Sequence, residues 1–428
     1  MTRFLAATFA SLRVRNYRLY FMGQSVSVAG TWMQKLAQSW LVLELTNSGA
    51  WLGITLAVQQ LPTLVLTPWG GVLADRFNKR TILIMTAILS IVPSVLIGAL
   101  TLSGHINVAL VMVLALLGGI VDAFEKPARQ SFPSEMVGPT HLANAVMLNN
   151  VIQDIGKVVG PAIAGVLIAA VGLPSTFFIN AASFVAVVAG LMLMRADELT
   201  APEPEGRNAG QFRAGLAYVR STPQLFGPLV LLGSVGLLAY NFQVILVLLG
   251  KDTFHGDART VGYLLGALGA GSVIGGLALA GVLSASINRI IGAALVLAAL
   301  FVVTSVAPSF PVALGVVFLL GASSVVFKAL AATWLQLTAA PAMRGRVLAL
   351  LVVAIAGTTP IGAPLMGWLA EQVGTRTTFA LAGVGTALAA VLVHRYMRRS
   401  SERTDVDVVD VEPPLVDVKN HSGQRPCP

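Results

Sequence analysis

Twelve stretches of about 20 mostly apolar residues follow one another along this chain, near 19–43, 51–73, 81–102, 107–125, 142–170, 174–194, 225–249, 260–283, 288–306, 311–332, 346–370 and 377–397. Each is long enough to cross a hydrocarbon layer as a helix. In hydrocarbon a single segment satisfies all its backbone N–H and C=O groups only as a helix. The composition fits: 56% of residues are hydrophobic, 11% are charged and the mean hydropathy is +0.80. A water-soluble domain carries about a quarter charged residues, so the solvent of this chain is largely lipid. The spacing predicts an all-α membrane protein with twelve transmembrane helices. The opening MTRFLAATFASLRVRNYRLYF has the basic-then-apolar order of a signal peptide. Its apolar stretch runs to about Leu43 without a small-residue cleavage site, so it reads as the first span behind a basic surface segment.

The basic residues fix an orientation. Of the 28 Lys and Arg, 22 fall at alternate connections and the two ends, among them Arg13, Arg18, Arg76, Lys79, Arg80, Lys126, Arg129, Arg195, Arg289, Arg344 and Arg398. The opposite connections hold only Lys251, Arg259 and Arg376. Lys and Arg are retained on the cytoplasmic side, so both termini are expected in the cytoplasm of a bacterium, with the spans in its inner membrane. The net charge of +9 is then a topology signal and no nucleic-acid partner is implied. Cys427 is the lone cysteine and the five histidines are far apart, so no disulfide framework, metal site or cofactor is expected.

The polar, proline-bearing stretch 196–223 divides the chain into halves of similar size. We expect a six-helix bundle over 1–195, a cytoplasmic linker over 196–223, a second six-helix bundle over 224–397 and a disordered acidic tail over 398–428. An internal repeat supports two pseudo-symmetric bundles. Gly160, Gly165 and Gly172 share an offset of 202 with Gly362, Gly367 and Gly374, as does Lys126 with Lys328, while GVLADR at 71–76 matches GVLSAS at 281–286 at an offset of 210.

Two motifs carry mechanism. Between the second and third spans lies Gly71-Val-Leu-Ala-Asp75-Arg76-Phe-Asn78-Lys79-Arg80. It resembles the G-x-x-x-D-R-x-G-R-R signature of the major facilitator superfamily, with Asn78 in the place of a glycine. Asp75 at a helix end is expected to pair with a basic group or a helix N-terminus across the interface between halves, biasing a rocking equilibrium. The fifth span carries Gly156-Lys-Val-Val-Gly160-Pro161-Ala-Ile-Ala-Gly165. This is similar to the G-x-x-x-G-P-x-x-G-G motif of the superfamily's antiporters, with one alanine for glycine. Small residues allow close helix approach and Pro161 permits a kink. The stretches 13–53 and 127–172 look like the enterobactin-exporter-like branch, which includes macrolide and multidrug exporters. The resemblance implies alternating access by a monomer, a small-molecule substrate and protons as counter-ion. The arginine that many superfamily antiporters carry on the fourth span is absent, as that helix reads VMVLALLGGIVDAFEK.

Three lysines fall inside spans: Lys35, Lys157 and Lys328. A charge near the bilayer centre costs at least about 2.5–3.5 kcal/mol, so each needs a cavity or a partner. Lys35 has no acid within a turn and is expected to face a cavity with Trp32, Gln34 and Gln38. Asp154 and Lys157 share a helix face, as an ion pair or with Asp154 as a protonation site; Asp122 is the other well-placed acid for proton coupling. Lys126 and Lys328 are expected to snorkel to the headgroups. Asn150, Gln153, Asn241 and Gln243 complete the candidate substrate cavity, which with many amides and few charges suits a bulky amphiphile. Import of a metabolite in the same fold, a membrane enzyme and a non-transporting sensor are the competing readings. No metalloprotease, nucleotide-binding or nucleophile motif favours an enzyme.

Overall fold

The computed structural model describes residues 9–200, 211–279 and 284–409, and among them every regular element is helical. The first half runs α1 (Arg15–Thr46), α2 (Gly49–Arg76), α3 (Lys79–Leu102), α4 (Val108–Ser131), α5 (Pro133–Val171) and α6 (Leu173–Met192). A short helix α7 (Gln211–Ser221) leads into the second half. There α8 (Pro223–Leu238) and α9 (Phe242–Leu248) form one broken span, followed by α10 (Ala258–Leu279), α11 (Ile287–Ser305) and α12 (Phe310–Thr338). A second broken span, α13 (Arg344–Ala356) with α14 (Thr359–Val373), precedes α15 (Thr375–Val409). Eleven spans among the described residues are long and apolar enough to cross a membrane. The 32-residue α1 makes the twelfth; it carries glutamines and serines, several of them buried against protein, and Lys35 on the cavity side.

Four boundaries differ from those expected. Helix α4 continues to Ser131, so Lys126 and Arg129 are helical, each bound to an acid one turn earlier. Helix α5 starts at Pro133 and kinks at Gly138, whose φ of 64° suits a residue without a β-carbon. Helix α7 occupies part of the connection read as linker, while 201–210 lie outside the described residues. Helix α15 runs to Val409, well into the stretch expected to be disordered, and 410–428 lie outside the description.

The packing repeats between halves. α2 packs on α4 as α10 packs on α12, α3 on α6 as α11 on α15, and α1 on α6 as α8 on α15. Close approaches repeat residue by residue. A β-carbon on Gly119 would lie 2.0 Å from the Gln59 carbonyl oxygen, and one on Gly321, 202 residues later, 2.0 Å from that of Leu268. Gly172 and Gly374, also 202 apart, both end a helix with positive φ, 93° and 85°. Of the second repeat region, GVLSAS, residues 281–283 lie outside the described residues.

The halves meet along α2 against α14 and α5 against α10. The contacts are backbone to backbone: a β-carbon on Gly367 would lie 2.0 Å from the Gly49 carbonyl oxygen, and one on Gly165 2.7 Å from that of Ala258. These glycines lie toward the end of the bundle that carries Lys251, Arg259 and Arg376, here called the neutral end. The opposite, basic end carries the motif of residues 71–80.

Candidate functional site: a central cavity between the halves

A cavity of about 630 Å³ lies between the two halves. That is within the range of about 300–1,000 Å³ found for small-molecule sites. Helix α1 contributes Trp32, Lys35 and Ser39; α5 contributes Asn150, Gln153, Asp154, Lys157 and Pro161. From the second half come Tyr240, Asn241, Phe242 and Gln243 at the break between α8 and α9, with Ser272, Ser324 and Lys328. The break explains the polar cluster. Where backbone leaves helical geometry inside a membrane protein it must face protein or a water-filled space.

The structure brings most of the expected cavity residues together: Trp32, Lys35, Asn150, Gln153, Asn241 and Gln243 all line the space. Gln34 and Gln38 do not. Gln34 accepts a hydrogen bond from Asn180 Nδ2 at 2.7 Å, tying α1 to α6, and Gln38 is buried against protein. Gln34 thus faces α6 of the first half, and hydropathy alone could not separate either glutamine from the cavity face. The two acids also part. Asp154 Oδ1 accepts from Lys157 Nζ at 2.7 Å and both line the cavity, whereas Asp122 lies outside the lining, 3.0 Å from Lys126 Nζ. Lys126 is thus held by an acid, and Lys328, expected to reach the headgroups, lines the cavity. One signal for Lys328 was present in the sequence: it interrupts a strongly apolar span with no acid one turn away.

The motif of residues 71–80 anchors the first half. Lys79 Nζ meets Glu135 Oε1 at 2.5 Å, and the pair is buried, with side chains 7% and 6% exposed. Arg80 donates to the carbonyls of Leu191 and Met192 at the end of α6, at 2.7 and 3.1 Å. Both partners belong to the first half, so these two basic residues brace α3 against α5 and α6. Gly71 is buried, while Asp75 and Arg76 are exposed.

The motif of the fifth span has two faces. A β-carbon on Gly156 would meet Val28, and one on Gly160 would lie 2.5 Å from Trp32 Cβ, so both glycines seat α5 on α1. On the other side a β-carbon on Gly262 of α10 would lie 2.6 Å from the Pro161 carbonyl oxygen, and Gly165 abuts Ala258. One ten-residue stretch therefore closes a contact within the first half and a contact between halves.

Two charged groups reinforce the neutral end. Glu371 of α14 accepts from Ser48 Oγ and from the Ala50 N–H, capping the start of α2. Lys251 donates to the Leu43 carbonyl at 3.0 Å and to Asn47 Oδ1 at 3.1 Å, at the end of α1. Each places the charge that the local helix dipole favours.

The family model described as transmembrane secretion effector matches residues 6–425. The chain belongs to this family of major facilitator superfamily transporters. Its relatives carry chemically different cargo. It is 25% identical to the staphyloferrin A transporter of Staphylococcus aureus over 398 residues, covering 89% of this chain and 96% of that one. It is 28% identical to the multidrug efflux pump Tap of Mycolicibacterium fortuitum, covering 82% and 88%. It is 25% identical to the enterobactin exporter EntS of Escherichia coli, covering 88% and 90%. Among solved structures, an inward-facing bacterial homolog of the human lysosomal transporter Spinster superposes with a TM-score of 0.70 at 13% identity, covering 89% of this chain and 96% of that one. That likeness speaks for the fold alone. As a superfamily member the protein is a multi-pass membrane transporter of small molecules, and its central cavity lies where the two halves of such a transporter meet.

Proposed function

We propose that this transporter exports small amphiphilic molecules, of the siderophore, antibiotic or drug-like kind, from the cytoplasm by alternating access, with proton antiport as the driving reaction. The basic end then faces the cytoplasm. The observation that carries the reading is a cavity with amides, aromatic rings and an Asp154–Lys157 pair, lying beside glycine contacts that join the halves at the neutral end. Such a posture presents the cavity for loading from the basic side. The antiporter-like motif on α5 and the exporters among the relatives support the direction.

Asp154 is the candidate coupling carboxylate, since it alone among the two sequence candidates lines the cavity. A carboxylate there trades its proton against the charge of Lys157 and of the cargo. The deciding experiment uses everted membrane vesicles from cells making the full chain, with a panel of labelled siderophores and drugs. Accumulation driven by an inward-acid pH gradient, lost in D154N and retained in D122N, is the expected result. Accumulation confined to right-side-out vesicles would make the protein an importer, and flux indifferent to the pH gradient would remove protons from the scheme.

A further inference from the structure

The charges on the cavity wall are unbalanced. Lys35, Lys157 and Lys328 line it, with Asp154 as the one carboxylate in the lining. Asp154 is taken by Lys157, and the Lys35 ammonium sits 4.1 Å from the centroid of the Trp32 ring. Lys328 has neither hydrogen bond nor salt bridge among the described residues. Lys157 and Lys328 come from opposite halves, on α5 and α12, and Lys328 lies within electrostatic reach of both Lys157 and Asp154. Three ammonium groups share one carboxylate, and the net positive charge that remains is costly between apolar helices. Beside the lysines, Asn241 Oδ1 and Gln153 Nε2 are buried without a protein hydrogen-bond partner, and Asn241 is only 3% exposed. Both residues belong to the lining that holds the lysines, together with Trp32, Tyr240 and Phe242.

We infer that the cavity binds an amphiphilic organic anion, whose acidic group sits between Lys157 and Lys328 and whose apolar body lies on Trp32, Tyr240 and Phe242. This rests on the reading of the protein as a carrier of amphiphiles and narrows its cargo class. The anion adds the negative charge that one shared carboxylate does not supply to Lys328, and it competes with Asp154 for Lys157. Because its two ammonium partners belong to different halves, it links the bundles that must move past each other. The repeat sharpens the assignment. Lys126, the counterpart of Lys328, is matched by Asp122, whereas the residue equivalent to Asp122 in the second half is Ser324. The second half keeps the lysine and lacks the acid that would neutralise it.

The test uses purified full-length protein in lipid nanodiscs and two probes with the same xanthene core, anionic carboxyfluorescein and cationic rhodamine 123, read by fluorescence anisotropy. Carboxyfluorescein binds the more tightly, and K328Q weakens it about tenfold, the usual scale for losing a charge-assisted contact. K157Q acts in the same direction, K328R and K157R restore most of the affinity, and D154N tightens the anion by removing its competitor. Rhodamine 123 gains or is unchanged in the lysine variants. Raising salt weakens the anionic probe. The inference is overturned if rhodamine 123 binds as tightly as carboxyfluorescein, if both lysine-to-glutamine variants stay within about twofold of wild type, a change too small for a lost ion contact, or if carboxyfluorescein does not bind at millimolar concentration. Equilibrium binding is indifferent to the direction of transport. Anion binding without export would therefore sink the exporter reading and leave this one standing.

Discussion

Glu371, on α14 of the second half, accepts a hydrogen bond from the backbone N–H of Ala50 at the start of α2 in the first half, at 3.0 Å. A carboxylate is here capping a helix that belongs to the other half of the molecule. In the alternating-access cycle proposed above, this contact is broken when the neutral end parts, so its energy bears on the balance between the two postures. Lys251 does the same with the opposite sign at the end of α1. This pair of caps does for the neutral end what Asp75 was expected to do for the basic end.

Neutralising Glu371 should therefore move the conformational balance without unfolding the protein. An exposed charge at a helix terminus is worth about 0.5–1 kcal/mol at low salt, or roughly a two- to fivefold population shift. Spin labels at the neutral ends of α2 and α14, introduced after Cys427 is replaced, should show a longer-distance population in E371Q that shrinks in wild type. Unchanged distance distributions would mean that the cap is ornamental.

The glycine seam makes a stronger prediction of the same sign. Gly367→Ala would put a β-carbon 2.0 Å from the backbone of Gly49, and backbone cannot yield as a flexible side chain does. Overpacking of this kind costs about 1–3 kcal/mol, and parting the halves relieves it. G367A should thus lose closure at the neutral end and most transport while keeping its melting temperature. Gly292→Ala, where nothing lies within 4 Å, is the matched control and should behave as wild type in both assays.

The buried pair Lys79–Glu135 should behave as a structural brace. Removing one partner strands the other at a site less than one-tenth exposed. Such a loss costs about 3–5 kcal/mol, while replacing both partners with apolar residues of similar size is close to neutral. Thermal unfolding in detergent should show K79M and E135L each strongly destabilised and the double variant recovering most of the loss. Additive losses would show that the two side chains are not coupled.

Gly172 and Gly374 give a test of the internal repeat. Both hold positive φ, and a β-carbon at either has no neighbour closer than 3.8 Å, so strain is the whole cost of alanine. With ψ of 160° and 152° both lie in the positive-φ, extended-ψ region that is essentially confined to glycine, where an L-residue costs about 1–3 kcal/mol. G172A and G374A should lower the melting temperature by equal amounts. A difference of more than about 1 kcal/mol between them would show that the two helix ends are not equivalent, because the backbone conformation, and with it the strain, is nearly the same at both.

Much of the architecture was legible before any coordinate. Twelve apolar stretches, their alternating basic connections and the offset of 202 between glycines are properties of local composition, and lipid acts on composition directly. The same offset relates a pair it had not been drawn from, Gly119 and Gly321, which occupy matching crossings, and the Gly165 contact on Ala258 repeats as Gly367 on Gly49. Boundaries were less legible. Lys126 and Arg129 read as loop residues because charge marks membrane edges, yet the helix continues through both, each paired with an acid one turn earlier.

The functional face of each helix is where sequence ran out. Gln34 and Lys35 are hydrophilic neighbours on α1, yet one bonds to Asn180 on α6 and the other lines the cavity. Lys126 and Lys328 hold equivalent places in the repeat, yet Asp122 faces one and Ser324 stands in for that acid near the other. The sequence by itself determined which segments enter the membrane and that they come in two similar sets, because partitioning between oil and water is a sum over single residues. Which charges meet, which amides bridge helices and which are left facing the central space was decided by the tertiary structure alone. A rotation of one residue, about 100° around a helix, separates a packed side chain from a cavity-lining one, and only the neighbouring helices fix that angle.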